Sequence, residues 1–191
     1  MSTLKVDNLL LQNNNTGTGR VLEMLTATLS DSATTTVEGI SGTYTFESVT
    51  HHQALSTSYA EITGSRIAYL PPQGTKIVRY QFSYTVGAAD GADGISSVRL
   101  YVDDDEITNG RRSHSPYRQD EIQFTHSLVC NGNSTDLTRG IFTSWDTAKT
   151  IHLEAREHSS SVQVEIHNSR SFDGGTNDQF CAPTITLTAI G

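Results

Sequence analysis

The chain reads as all-β, an antiparallel β-sandwich (jelly roll) preceded by an extended N-terminal attachment segment, and three observations carry that reading. Period-2 alternation of apolar and polar residues recurs between clusters of Gly, Asn, Asp and Pro, while helical periodicity is hard to find anywhere. Hydroxyl residues fill about a quarter of the 191 positions, 21 Ser and 26 Thr, and Thr suits a pleated, half-exposed surface. The length fits one domain of about 150 residues with a small appendix, hence a single core.

Taken in order, residues 1–9 alternate like a strand but carry no core of their own, so they need a partner. Leu4, Val6, Leu9, Leu10 and Leu11 are therefore the expected attachment residues. The polar loop 13–19 separates them from an early strand over 21–29, and the Ser/Thr-rich stretch 30–36 reads as a linker too polar to bury surface of its own. This divides the chain into an attachment segment with linker, 1–34, and a head domain, 35–191.

Strands are expected over 43–49, 60–70, 76–86, 97–103, 121–130, 140–145, 150–156, 162–167 and 183–190, close to the eight of a jelly roll. Pro71-Pro72-Gln73-Gly74 ends one of them, because proline donates no ladder hydrogen bond and glycine takes positive φ. Over 76–86 the alternation puts Val78, Tyr80, Phe82, Tyr84 and Val86 on the core face, opposite Arg79, Gln81, Ser83 and Thr85. Over 150–156, Ile151, Leu153 and Ala155 face inward while His152, Glu154 and Arg156 face out. The stretch 161–167 repeats the scheme with Val162, Val164 and Ile166, and the short link 157–160 suggests a hairpin between the two.

The formal net charge of −8 repels a phosphate backbone, so nucleic acid is not an expected partner. No charged start followed by an apolar stretch appears. The longest apolar run, Leu9-Leu10-Leu11, is far too short to span a membrane, so neither secretion nor membrane insertion is expected. Cys130 and Cys181 lack metal-type spacing and sit in apolar, strand-like sequence; buried reduced thiols are the first reading and a bond between neighbouring strands the second.

Chemistry-bearing patterns are sparse. Asp103-Asp104-Asp105-Glu106 lacks the spacing of a calcium loop and reads as strand, turn, strand, and Asp90 and Asp93 read as a solvated glycine loop. His51 and His52 are adjacent, hence on opposite faces of an extended chain, and do not converge on one metal; no metal or cofactor is expected. There is no Gly-x-Ser-x-Gly elbow, phosphate loop or His-Glu-x-x-His, so no catalytic residue is assigned and an enzyme is not expected. Trp145 beside Ile141 and Phe142 reads as core or interface. The stretch 111–118, cationic in an acidic protein, is read as a surface contact loop carrying Arg111, Arg112, His114, Tyr117 and Arg118.

The start Ser2-Thr3-Leu4-Lys5-Val6-Asp7-Asn8, followed by Asn/Thr/Gly-rich sequence, resembles the opening of small fibre and appendage proteins of marine tailed bacteriophages. The stretches 55–62, 76–84, 100–103, 147–153 and 183–190, among them Leu100-Tyr101-Val102-Asp103, are similar to the β-sandwich head of phage and giant-virus fibre-type proteins. Such heads are similar to the tumour-necrosis-factor-like jelly roll. The resemblance implies a homotrimer, other virion proteins as partners, a virion location and no catalytic residues. A tail fibre, a head appendage and a capsid decoration all fit it, in host-surface adhesion, with a surface glycan as an expected partner, or in particle stabilisation. The alternative from another class is a free-standing carbohydrate-binding, lectin-like module.

Overall fold

The computed structural model describes residues 19–30, 34–88, 94–115, 119–170 and 178–191, which form fifteen strands and no helix. The attachment residues Leu4, Val6, Leu9, Leu10 and Leu11 lie outside the described residues. So do Tyr117 and Arg118 of the contact loop and Asp90 and Asp93 of the glycine loop.

The strands are β1 (Val21–Thr28), β2 (Thr35–Gly39), β3 (Gly42–Phe46), β4 (Gln53–Ala54), β5 (Ala60–Glu61), β6 (Ile67–Tyr69), β7 (Ile77–Ala88) and β8 (Ser96–Val102). They continue with β9 (Asp105–His114), β10 (Gln119–Val129), β11 (Lys149–Glu157), β12 (Val164–Ile166), β13 (Asn168–Arg170), β14 (Asp178–Phe180) and β15 (Thr184–Ile190). Strand β7 is the longest and has both edges filled. β10 runs along one edge from Ile77 to Gly87, while β15 and then β12 share the other. Its alternation does what the sequence predicts: Val78, Tyr80, Phe82, Tyr84 and Val86 are all buried, and Arg79 is exposed on the opposite face.

Two antiparallel sheets result. The first runs β1-β15-β7-β10, with β12 and β4 extending it beside the second half of β7. The second runs from β5 and β6, which share one edge of β11, through β11 and β8 to β9. In chain order the eight principal strands are β1, β5/β6, β7, β8, β9, β10, β11 and β15, so the sheets have the orders 1-8-3-6 and 2-7-4-5. That is the double Greek key of a jelly roll. The inward faces of both sheets join in one core, with Tyr80, Phe82, Leu100, Leu153 and Leu187 fully buried.

Several sequence boundaries move. Residues 21–28, assigned above to the segment before the head, are its first strand. β1 pairs with β15 from Val21↔Ile190 to Thr28↔Thr184 and buries Leu25, Ala27 and Leu29. Part of the expected linker is β2, which forms a hairpin with β3 because Val37 packs against the core and Tyr44 and Phe46 enter it. The expected strand 60–70 breaks into β5 and β6 at Gly64, which takes φ +83° and where a Cβ would press into Val49 and Leu29. Residues 140–145 form a loop tied by isolated bridges at Ile141 rather than a strand.

The expected hairpin between 150–156 and 161–167 does not form. β11 belongs to the second sheet and β12 to the first, and the link crosses between them. Alternation fixes which face of a strand is buried but not which sheet it joins, and in a sandwich the two buried faces look at each other. The crossover is pinned by the buried Glu157 carboxylate, which accepts hydrogen bonds from the Val164 amide and Gln163 Nε2, both at 3.2 Å.

The β2–β3 hairpin is clamped over the side of the sandwich by another buried carboxylate. Glu23 on β1 accepts from the Tyr69 hydroxyl at 2.9 Å and from the Ile40 amide in the hairpin turn. Tyr44 donates to the Leu70 carbonyl at 2.5 Å, and its ring packs 5.2 Å from that of Tyr69. Burial, then the hydrogen bond to Glu23, pushes the Tyr69 hydroxyl well above the usual phenol range, so it stays a donor. Gly39 fits here because a Cβ would lie 2.5 Å from the Tyr44 ring and 2.6 Å from the Glu23 carboxylate. The substitution Glu23→Ala strands the Tyr69 hydroxyl and the Ile40 amide and is expected to lower unfolding free energy by about 2–4 kcal/mol in denaturant titrations. A loss below about 1 kcal/mol contradicts the clamp.

His167, between β12 and β13, is fully buried and adopts φ +63°, a conformation few non-glycine residues take. Its Nε2–H donates to the Thr63 carbonyl at 2.9 Å, and its ring meets Phe82 and Tyr84 edge-on. Burial pulls its pKa from 6.5 down to about 4. The unfolded chain therefore binds more protons than the native one between these values, and stability falls as pH drops from about 6.5 to about 4, by roughly 3 kcal/mol from this residue. His114, His126 and His152 are shifted down by burial as well and act in the same direction. His167→Asn, which tolerates the same backbone, is expected to flatten this acid limb. An unchanged slope of stability against pH would show that His167 does not titrate as a buried neutral group.

Candidate interaction surfaces

The two sheets leave two outer faces, and their chemistry differs. On the second sheet, outward positions bring Glu154 beside Arg99 and set His152, Tyr101 and Glu106 in one row across β11, β8 and β9. Arg111 clasps Glu106 through two hydrogen bonds, 2.6 and 3.1 Å, and Arg99 approaches the same carboxylate at 3.7 Å. The Arg99 guanidinium lies 3.7 Å above the ring of Tyr59, with Arg156 5.3 Å from the same ring. His152 stacks on Tyr101 with centroids 5.2 Å apart and is buried by that contact, although its outward direction is the one predicted. Arg66 and Glu61 form a bidentate pair at the far edge of this sheet.

Arg111, Arg112 and His114 lie on β9 rather than in a loop, which corrects the expected contact loop for its described part. Asn109-Gly110 resembles a turn in sequence, yet Gly110 lets the strand lie against Leu100, where a Cβ would sit 2.8 Å from the leucine Cβ. Residues 108–111 bulge opposite Arg99 before pairing resumes at Val98↔Arg112 and Ser96↔His114. Arg111 and Arg112 are exposed and His114 half-buried. Arg112 donates to the Asn109 and Arg111 carbonyls at 3.0 and 2.8 Å.

The acidic run is the expected strand, turn, strand. Asp103 takes φ +56° in the turn, accepts from the Thr150 amide at 2.8 Å and pairs with Lys149 at 3.0 Å. No group of three or more candidate metal ligands gathers among the described residues. Trp145 is buried, and its Nε1 donates to the Tyr69 carbonyl at 3.0 Å, so it is a core side chain. It underlies a cleft of about 540 Å³ whose exposed lining includes Ser41, Gln73, Asn131 and Asp146. Both cysteines are free, and burial pushes the Cys130 thiol up to about 12, which makes it inert.

The first sheet's outer face is the surface that sequence reasoning missed. Its rows run Thr26–Thr186–Gln81–Thr125 and Thr28–Thr184–Ser83–Gln123, flanked by Met24–Thr188–Arg79–Ser127. Thr26 and Thr186 hydroxyls hydrogen-bond at 2.9 Å. The signal was present in the alternation Thr184-x-Thr186-x-Thr188, but neutral residues carry no motif and draw no attention until the register sets them side by side.

Fold and faces together define a jelly-roll scaffold with one broad surface rich in charged pairs and one rich in hydroxyl and amide side chains. No protein-family model matches the chain, and no curated protein matches it. Among solved structures, a chain from the structure of infectious bursal disease virus, Gx strain, is similar over 91% of this chain and 38% of that one, with 11% identity and a TM-score of 0.33. This chain thus spans well under half the length of that one.

The hydrogen bonds from Arg111, more than the nearby Arg99 charge, hold the Glu106 carboxyl below the usual carboxylate range. Arg111→Ala is expected to raise the Glu106 pKa toward that range in an NMR titration, while Arg99 keeps it from reaching the unperturbed value. No movement would show that the pair does not persist in solution.

Proposed function

We propose that the protein is a structural component of a bacteriophage particle: a homotrimeric fibre, appendage or capsid-decoration head, anchored by its N-terminus and presenting a jelly roll to the outside. The observation that supports this most directly is the separation of the two ends of the sandwich. The chain enters at Gly19, whose amide donates to the Gly191 carbonyl at 2.6 Å, and Ile190 stands beside Ile77 where β7 begins. The opposite end, where β7 finishes at Ala88, gathers the starts of β10 and β12 and the His114 end of β9. The body therefore has an entry end at Gly19 and an opposite end, some 11 β7 residues and about 35 Å away, which in this reading meets a host surface or a particle neighbour.

In this reading residues 1–11 dock by adding an extended segment to another virion protein, with main-chain hydrogen bonds giving affinity and the alternate side chains Leu4, Val6 and Leu9 giving register. Repetition of the head then raises the avidity of contacts that are individually weak, whether to a glycan or to a capsid neighbour. Arg111, Arg112 and His114 are the described residues best placed to make them, because β9 carries them toward the outer end. A copy lacking residues 1–11 is expected to stay folded and soluble, with an unchanged melting temperature, and to be missing from particles purified on a density gradient. Normal incorporation of that copy defeats the docking role.

A further inference from the structure

We propose that the free edge of β10, from Gln119 to Ser127, takes up an extended segment of a different protein as an added strand, one that alternates apolar and polar residues and carries a carboxylate among the apolar ones. This surface is additional to the N-terminal attachment and stands without it.

The direction of the main chain defines the surface. In an antiparallel pair each residue turns its N–H and its C=O to the same side, and successive residues take opposite sides. Cys130 turns toward β7, where its amide donates to the Lys76 carbonyl at 2.7 Å. Val129 turns the other way. Its amide donates to the Gly140 carbonyl and its carbonyl accepts from the Phe142 amide, both at 2.9 Å. Pairing with β7 is unbroken from Val129 back to Gln119, so Ser127, Thr125, Gln123, Glu121 and Gln119 share the orientation of Val129. Among the described residues their main-chain groups meet no main-chain partner. The chain thus builds onto this edge at Val129 and leaves the rest of it, about 30 Å, without a strand.

Other long edges are protected. β1 is flanked by the clamped β2–β3 hairpin, and β9 bulges over 108–111. Strand β10 has no proline, lysine or bulge, and its charges, Asp120 and Glu121, sit together near its start. A straight edge of this kind is a template for strand addition.

Side chains set the chemistry of the incoming strand. Ile122 and Phe124 face inward at the mouth between the sheets, and the Arg112 guanidinium reaches from β9 to 5.7 Å from the Phe124 ring. Arg112 is exposed, donates to the Asn109 and Arg111 carbonyls, and makes no ion pair among the described residues. An added strand lays its inner side chains beside Ile122 and Phe124, which calls for apolar groups, and near Arg112, which calls for a carboxylate. Its outer side chains meet the exposed Gln123, Thr125 and Ser127, which calls for hydroxyls or amides. The net charge of −8 sets copies of the chain against one another and favours a different protein as the donor.

The test is amide hydrogen exchange by NMR on the full chain, alone and with a blocked synthetic peptide of alternating valine and threonine whose central valine is replaced by glutamate. Alone, the amides of Glu121, Gln123 and Thr125 are expected to exchange about tenfold or more faster than those of Ile122 and Phe124, which are bonded to β7. Equal protection in the free chain overturns the proposal, because the edge is then already covered by the chain itself. Protection that falls on dilution overturns it in favour of a second copy. With the peptide at millimolar concentration, exchange at the three outward amides is expected to slow about tenfold. A peptide with lysine in place of glutamate is expected to bind several-fold more weakly, a difference that Arg112→Ala removes. Absence of slowing at those amides, or equal binding of the two peptides to the wild type, refutes the proposal. The variant Gln123→Pro removes only an outward-facing donor, so it is expected to keep its far-ultraviolet spectrum and to lose the peptide. A folded variant that still binds overturns strand addition, and should it fail to fold, the exchange measurements on the wild type decide.

Discussion

The structure depends on β7. Its five inward side chains, Val78 to Val86, form the middle of the core, and both of its edges are occupied over nearly its whole length by β10, β15 and β12. A strand so enclosed cannot slip by one residue without turning Tyr80 and Phe82 to solvent and Arg79 and Gln81 into the core. Each fully buried side chain of this kind is worth about 1.5–3 kcal/mol, so the register is fixed by burial before any loop contributes. Everything else in the sandwich is placed relative to it. β15 brings the C-terminus to the first residue of β7, β1 follows β15, and the chain is thereby made to enter at one end and expose its other end.

How much of this was legible in the sequence follows from the same physics. The class and the faces of the central strands could be read because alternation reports burial one strand at a time. Pairing partners could not, because a jelly roll joins strands far apart in sequence, as β1 joins β15, and nothing local records the partner. The hairpin expected after Arg156 failed for this reason. Only the first part of β9, after the acidic turn, was expected; its second half was read as a contact loop because of its charge, whereas Gly110 lets the strand run on in close approach to Leu100. The clamp at Glu23 was also out of reach, since a single acidic residue among apolar ones gives no hint that Tyr69 and the Ile40 amide will meet it.

The candidate surfaces were legible to different degrees. Arg111, Arg112 and His114 were singled out by charge and do lie on the surface, though on a strand whose bulge turns Arg111 onto Glu106 instead of leaving it free. Tyr101, Arg99 and Tyr59 gain their roles only from stacking across strands and loops. The neutral face of the first sheet is the extreme case: hydroxyl residues unremarkable one by one become a continuous plane once four strands are set in register. The difference between the two sheets thus lies in their outward residues, with the inward ones alike.

The most direct test of an anchored, assembled head is a density map of the intact particle at a resolution that traces strands. The account predicts repeated copies of the sandwich on the particle. Their entry ends, at Gly19 and Gly191, should point to the particle, and the segment before them should pair with a different protein. A map with residues 1–11 folded back on their own protomer would contradict it.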